Sequence, residues 1–167
     1  MTRIGLISDT HGYLDEAVLK HFAACDEVWH AGDFGPGVAD RLSGFKPLKG
    51  VWGNIDGREV RDHFPETLRW RCEDVAVLMT HIGGYPGRYA PAVRKALAHA
   101  PAQLFISGHS HILKVMYDDK FSCLHMNPGA AGNQGWHQVK TLLRFAIDGS
   151  NIKDCEVIEL GKRGAAR

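Results

Sequence analysis

Ile4-Gly5-Leu6-Ile7-Ser8-Asp9-Thr10-His11-Gly12 is the stretch from which the fold can be read. A short apolar run stops abruptly at polar side chains, and a glycine follows. This is the pattern of a buried strand feeding a loop. It recurs along the chain. Residues 27–31 run into Gly32-Asp33, and 48–52 into Gly53-Asn54. Residues 75–79 run into Thr80-His81, 103–106 into Ser107-Gly108-His109, and 123–126 into Asn127-Pro128-Gly129. Between some of these lie helical patterns. Over 15–24, Val18, Leu19 and Phe22 share one face; over 89–99, Val93, Ala96 and Leu97 do. The last third reads as strands over 114–121, 142–147 and 152–160, with turn residues at Asp118-Asp119 and Asp148-Gly149. Strand–helix alternation followed by hairpins predicts a mixed α/β domain.

Composition narrows the function. The 167 residues carry 20 Lys and Arg against 19 Asp and Glu, so no global basic charge drives nucleic-acid or membrane binding. No apolar stretch approaches the ~20 residues of a membrane span, and the start lacks the apolar run of a signal peptide. Cys25, Cys72, Cys123 and Cys155 show no paired spacing, so free thiols in a cytoplasmic protein are expected. We expect one domain over 1–160 and a frayed basic tail over 161–167. The unusual count is ten histidines, since His is the commonest metal ligand and the usual acid or base near neutral pH.

The chemistry stands at the strand ends, where open α/β sheets bind ligands. Asp9, His11, Asp33, Asn54, His81, His109 and His111 all fall there. Carboxylate, amide and imidazole donors without thiolate suit Mn, Fe, Zn or similar first-row ions. Seven protein donors are too many for one ion that must keep an open position; they suit two ions sharing a bridging carboxylate. Asp9 and His11 are two apart, as are His109 and His111, which points each pair to one side of an extended segment.

Asp9-x-His11, Gly32-Asp33, Gly53-Asn54-x-Asp56, His81 and Gly108-His109-x-His111 resemble, in order, the five signatures of the calcineurin-like metallophosphoesterases. The resemblance runs from residue 4 to about 132. Ser8-Asp9-Thr10-His11-Gly12 and Asn127-Pro128-Gly129-Ala130 look most like its small bacterial and archaeal phosphodiesterase branch, near which the eukaryotic retromer subunit also falls. The resemblance implies a four-layer αββα sandwich of two mixed sheets. It implies one ion on Asp9, His11 and His111, another on Asn54, His81 and His109, and Asp33 as the bridge. The ions would be manganese, with iron, zinc or nickel as alternatives. It implies hydrolysis of a small phosphate ester by in-line attack of a bridging hydroxide. Asn54, His81 and Asp33 would take catalytic roles, the amide and imidazoles offsetting charge on the phosphoryl oxygens.

Two departures qualify that reading. Many relatives carry a proton-donating His where this chain has Ile55, so aryl esters should be hydrolysed better than alkyl ones. His81-Ile82-Gly83-Gly84 inserts a residue before the usual glycine, and the following loop offers Arg88 as a phosphate contact. Asp56, deprived of the His it would orient, is expected to hold a loop backbone or pair with Arg58. Of the other histidines, His21 and His99 read as surface, and His63 sits among charges. His30 and His125 lie inside strand patterns and read as hydrogen-bonded groups of the core or behind the metal ligands, and His137 as a surrogate acid or a structural residue. Trp29, Trp52, Trp70 and Trp136 read as core or interface. No nucleic-acid arm is evident, and the aromatics permit a homo-oligomer without requiring one. The competing function is a weakly active or inactive phosphoesterase-shaped interaction scaffold.

Overall fold

In a computed structural model, which describes residues 1–164, β1 (Thr2–Ile7) is buried over its last four residues. It pairs in parallel with β2 (Glu27–His30), which pairs in parallel with β3 (Leu48–Gly50). On its other side β1 pairs antiparallel with β11 (Val139–Asp148), and β11 with β12 (Asn151–Lys162). The first sheet therefore has the order β12-β11-β1-β2-β3. The second repeats the plan. β5 (Val75–Thr80), β8 (Leu104–Ile106) and β10 (Cys123–Asn127) are parallel; β4 (Thr67–Cys72) and β9 (Lys114–Asp118) pair antiparallel on its edges. A small hairpin, β6 (Gly84–Tyr85) and β7 (Arg88–Tyr89), follows β5.

Period-two alternation sends successive residues of β1 to opposite faces. Ile4 and Leu6 pack between the sheets with Trp29, Val77, Met79, Leu104, Ile106 and Phe145. Trp29 meets Trp70 edge-on at 4.8 Å and Phe145 at 5.6 Å. Ile7 and Val28 face outward, covered by α1 (Glu16–His21), α2 (Val38–Ser43) and α3 (Arg58–Arg61) through Val18, Phe22, Leu42 and Val60. The outer face of the second sheet, through Leu78 and Phe105, is covered by Val93 and Leu97 of α4 (Pro91–His99). The result is the expected αββα sandwich of two mixed sheets.

Several elements differ from the sequence reading. α2 and α3 span six and four residues, too short to show a helical period. β4 was detectable: Leu68, Trp70 and Cys72 turn inward while Arg69 and Arg71 turn out. The expected boundary at 160 is corrected. β12 continues through Gly161 and Lys162, paired with Lys140 and Val139. Arg163 then donates to the carbonyls of Gln138, His137 and Asn133, and the Gly164 N–H donates to Asn133 Oδ1. The carbonyls of the 133–138 loop hold residues that composition alone marks as a solvated tail. Residues 165–167 of that tail lie outside the described residues.

Gly5 sets how closely α1 approaches the sheet. A Cβ there would lie 2.5–2.6 Å from the ring of Phe22, which is fully buried. Gly5→Ala is expected to cost about 1–3 kcal/mol through overpacking. Thermal or urea unfolding measures it, and an unchanged midpoint would contradict this account of the helix–sheet contact.

Candidate metal centre

The carboxyl ends of the parallel strands of both sheets lie at one edge of the sandwich. From the first sheet, β1 leads into Asp9 and His11, β2 into Asp33, and β3 into Asn54. From the second, β5 leads into His81 and β8 into His109 and His111. Asp9, His11 and His111 offer one ligand atom each within 4.8 Å of one another; Asp33, His81 and His109 form a second such group. Asn54 Oδ1 lies 3.0 Å from His109 Nδ1.

The separations suit shared ions. Ligand atoms about 2.0–2.2 Å from one ion stand roughly 3 Å apart at right angles and roughly 3.4 Å apart at tetrahedral angles. Asp9 Oδ1 is 3.1 Å from His111 Nε2 and 3.8 Å from His11 Nε2. Asp33 Oδ2 is 3.4 Å from His11 Nε2 and 3.2 Å from His81 Nε2, so this one oxygen stands between the two groups. Asp9 Oδ1, His11 Nε2 and His81 Nε2 are buried without a hydrogen-bond partner. Buried polar atoms are normally satisfied, and their clustering here fits a cation.

Their other atoms are fixed. Asp9 Oδ2 accepts from the Ser8 hydroxyl at 2.6 Å and the His109 N–H at 3.1 Å. Asp33 Oδ1 accepts from the Ile55 N–H at 3.0 Å. His81 Nδ1 donates to the Ala31 carbonyl at 2.7 Å, so Nε2 is the nitrogen turned to Asp33 and the one a cation would take in place of a proton. Gly53 and Gly108 give room: a Cβ on Gly53 would overlap Asp33 Oδ1, and one on Gly108 would overlap the Ser8 hydroxyl. Asp9, His11, Asp33, His109 and His111 all adopt positive φ, between 48° and 70°. Non-glycine residues rarely do so, and functional sites are where such strain collects.

The electrostatics are those of a pre-arranged cation site. Burial raises the Asp9 carboxyl, but the imidazoles of His11, His111 and His81 facing it outweigh this and hold the group below its ordinary range. Burial raises Asp33 too, and the facing His81 imidazole brings it below its ordinary value. Burial lowers His81, yet the facing Asp33 and Asp9 carboxylates raise it on balance. Burial and the neighbouring His81 lower His109.

The supporting residues behave as follows. Asp56 accepts the backbone N–H groups of Phe34, Gly35 and Gly53, at 3.2, 3.0 and 2.9 Å, and so joins the loops bearing Asp33 and Asn54. It does not pair with Arg58, which lies 3.8 Å from Asp62. His30 Nδ1 accepts from the Gly32 N–H, so its proton is on Nε2, which donates to Thr10 Oγ1; that hydroxyl donates to the Phe34 carbonyl. Asn127 went without a role in the sequence reading. Its amide donates to the Gly108 carbonyl and the Ser110 hydroxyl, holding the loop that carries His109 and His111. Only its place beside a Pro-Gly turn hinted at this.

Other expectations meet the structure differently. Arg88 is exposed on β7 and shares no hydrogen bond or ion pair with the group. His137 packs its ring 5.1 Å from that of His111, with Nε2 donating to the Gly132 carbonyl. Trp136 is 98% exposed, so it belongs to no core. Ile55 is exposed at the rim and offers no proton. An open cavity of about 560 Å³ between Arg3, Cys25, Arg144 and Glu156 shares no residue with the group. Among the described residues, no helix is long and apolar enough to cross a membrane.

Residues 2–150 match the family model of the calcineurin-like phosphoesterase superfamily domain. The chain belongs to that superfamily. Comparison with curated proteins gives no match. Among solved structures it is similar to an archaeal phosphodiesterase, at 20% identity and a TM-score of 0.75, covering 95% of this chain and 99% of that one. It is similar to a predicted phosphoesterase from Streptococcus pneumoniae, at 21% identity and a TM-score of 0.70, covering 95% and 89%. It is also similar to Vps29 from Chaetomium thermophilum, at 16% identity and a TM-score of 0.74, covering 97% and 100%. At these identities the likeness to the solved structures concerns the fold.

Two measurements check this account of the superfamily edge in this chain. Asp56→Ala should weaken divalent-metal affinity by about 10–100-fold, read by calorimetric titration, because the loops it joins lose their common acceptor. Burial lowers His30 from 6.5 to about 3. Between those values the unfolded chain binds a proton that the folded chain refuses. Stability therefore falls as pH drops through this window, by up to about 1.4 kcal/mol per pH unit from this residue. In the metal-free protein, His30→Gln should flatten the pH dependence of the unfolding free energy between pH 6.5 and 5; parallel slopes would refute the assignment.

Proposed function

We propose that the protein is a phosphodiesterase that hydrolyses small phosphate esters with two divalent ions, manganese in the first instance. The observation that carries this reading is Asp33 Oδ2, set 3.4 Å from His11 Nε2 and 3.2 Å from His81 Nε2, between the two ligand groups. Asp9, His11 and His111 would hold one ion, and Asn54, His81 and His109 the other, with Asp33 common to both. When bound, such ions supply Lewis-acid charge to the phosphoryl oxygens and a nucleophilic water at neutral pH. The chain's own residues do the positioning. Ser8 and the His109 N–H fix the Asp9 carboxylate, the Ala31 carbonyl fixes His81, and the Ile55 N–H fixes Asp33. Asn54 is exposed, with its Oδ1 3.0 Å from His109 Nδ1, and its amide would be open to a phosphoryl group bound there. The position of Ile55 supplies no proton to a departing alkoxide.

The test is metal analysis of the purified protein with hydrolysis of bis(4-nitrophenyl) phosphate and of a dialkyl phosphate. Bound metal and manganese-dependent turnover of the aryl diester are expected, with the alkyl diester slower by about 10²-fold or more, since general acid catalysis is missing. Asp33→Ala should lower turnover at least about a hundredfold. Equal rates on the two diesters would remove the argument from Ile55. A protein that takes up no metal and turns over neither ester would instead favour the interaction scaffold.

A further inference from the structure

A cavity of about 280 Å³ opens beside His109, and His109 is the only residue of its lining that belongs to the ligand groups. The lining divides by chemistry. Ile82, Ile112 and Tyr85 supply apolar surface, and they are 52%, 62% and 39% exposed. Single exposed apolar residues are ordinary, but three around one concavity next to a reactive edge describe a binding pocket. Gly83, Gly84 and Gly108 leave space between them.

Ser110 and Asn127 also line the cavity, but the Asn127 amide is taken up by the Gly108 carbonyl, the Ser110 hydroxyl and the Gly129 N–H. His125 lines the cavity and is itself fully buried. Its Nδ1 lies 3.2 Å from the Phe105 carbonyl, which can only accept, so the proton is on Nδ1. Its Nε2 is left as a lone pair with no partner. Burial lowers the group to about 4, so the ring stays neutral near pH 7. A buried acceptor without a donor calls for an explanation, and a ligand donor provides one. Lys114 also lines the cavity, its Nζ held 4.3 Å over the Tyr85 ring, and places one positive charge there.

Resting on the phosphoesterase reading, we propose that this cavity receives one ester group of the substrate, and that the group is a flat, uncharged aryl or heteroaryl ring bearing an N–H or O–H that donates to His125 Nε2. The phosphoryl group belongs at the ligand groups, and a diester must place a second organic group beside them. The cavity opens at that point. Apolar walls with one unpartnered directional acceptor favour a rigid ring, because a flexible chain loses more conformational freedom on binding. The Lys114 charge disfavours a cationic substituent.

Phosphonates, which are not hydrolysed, test this by binding alone. The manganese-loaded protein is titrated calorimetrically with methylphosphonate, phenylphosphonate, 3-aminophenylphosphonate and 2-aminoethylphosphonate. Phenylphosphonate should bind about tenfold tighter than methylphosphonate, as burial of a ring predicts. The amino substituent should tighten binding several-fold more, and 2-aminoethylphosphonate should bind no better than methylphosphonate. Ile112→Glu and Ile82→Glu, both at exposed positions, should bring the phenyl-to-methyl ratio close to one. His125→Leu should abolish only the increment from the amino group. A ratio near one in the unaltered protein, or one that survives both glutamate variants, overturns the pocket. An amino increment that survives His125→Leu overturns the acceptor. No phosphonate binding at all overturns the pocket together with the phosphoesterase reading. Absence of aryl-diester turnover with a normal phosphonate ratio would count against the reaction and leave the pocket standing.

Discussion

One oxygen of Asp9 takes the Ser8 hydroxyl from its own sheet and the His109 N–H from the other. That pair of bonds leaves the second oxygen bare and turned to the imidazoles. The return connection is His81, which comes from the second sheet and donates to the Ala31 carbonyl of the first. The two sheets are therefore tied at this edge by groups that are also the candidate ligands. The apolar layer between them, built around Trp29, sets the spacing at which these bonds can form. Side chains alternate along strands, so a one-residue slip in either sheet would turn the ligands away from one another.

The edge is costly without an ion. Five of the seven candidate ligands hold a left-handed backbone, a conformation worth about 1–3 kcal/mol of strain each in unfavourable cases. Asp and His tolerate it better than β-branched residues do. Three ligand atoms are also buried without partners. The surrounding network absorbs these costs through groups that touch no substrate: Asp56 with its three N–H donors, His30 with Thr10, and Asn127 with the 108–110 loop. Each ligand group draws on both sheets, so the site forms only when the sandwich is assembled.

Much of this was legible in the residues. Strands that end on Gly beside Asp, Asn or His announce both a sheet edge and a ligand set, because burial and metal binding each restrict residue type sharply. Asp56 as a holder of loop backbone was also within reach, since a carboxylate two residues from Asn54 has few other uses. The rest depends on atoms that carry no residue-type signal. The Ala31 carbonyl orients His81, yet any residue at 31 would have a carbonyl. The 133–138 loop holds Arg163 mainly through carbonyls, so composition reads that segment as a tail. α2 and α3 are shorter than the pattern needed to see them. His125 looked like an ordinary core histidine, and only the position of its second nitrogen separates it from one.

Three candidate ligands are followed directly by isoleucine: Asn54 by Ile55, His81 by Ile82 and His111 by Ile112. All three isoleucines are exposed, from 46% to 62%. Each ligand turns into the edge and its neighbour turns out, so the rim of the charged centre is apolar. An apolar rim keeps bulk water from screening the charges inside, and electrostatic interactions strengthen as the local dielectric falls. It also removes from the rim the side chains that could hand over a proton. On the proposed reaction, the same three positions would favour binding of an organic ester and stabilisation of charge on phosphorus, and would leave departure of the ester oxygen to its own acidity.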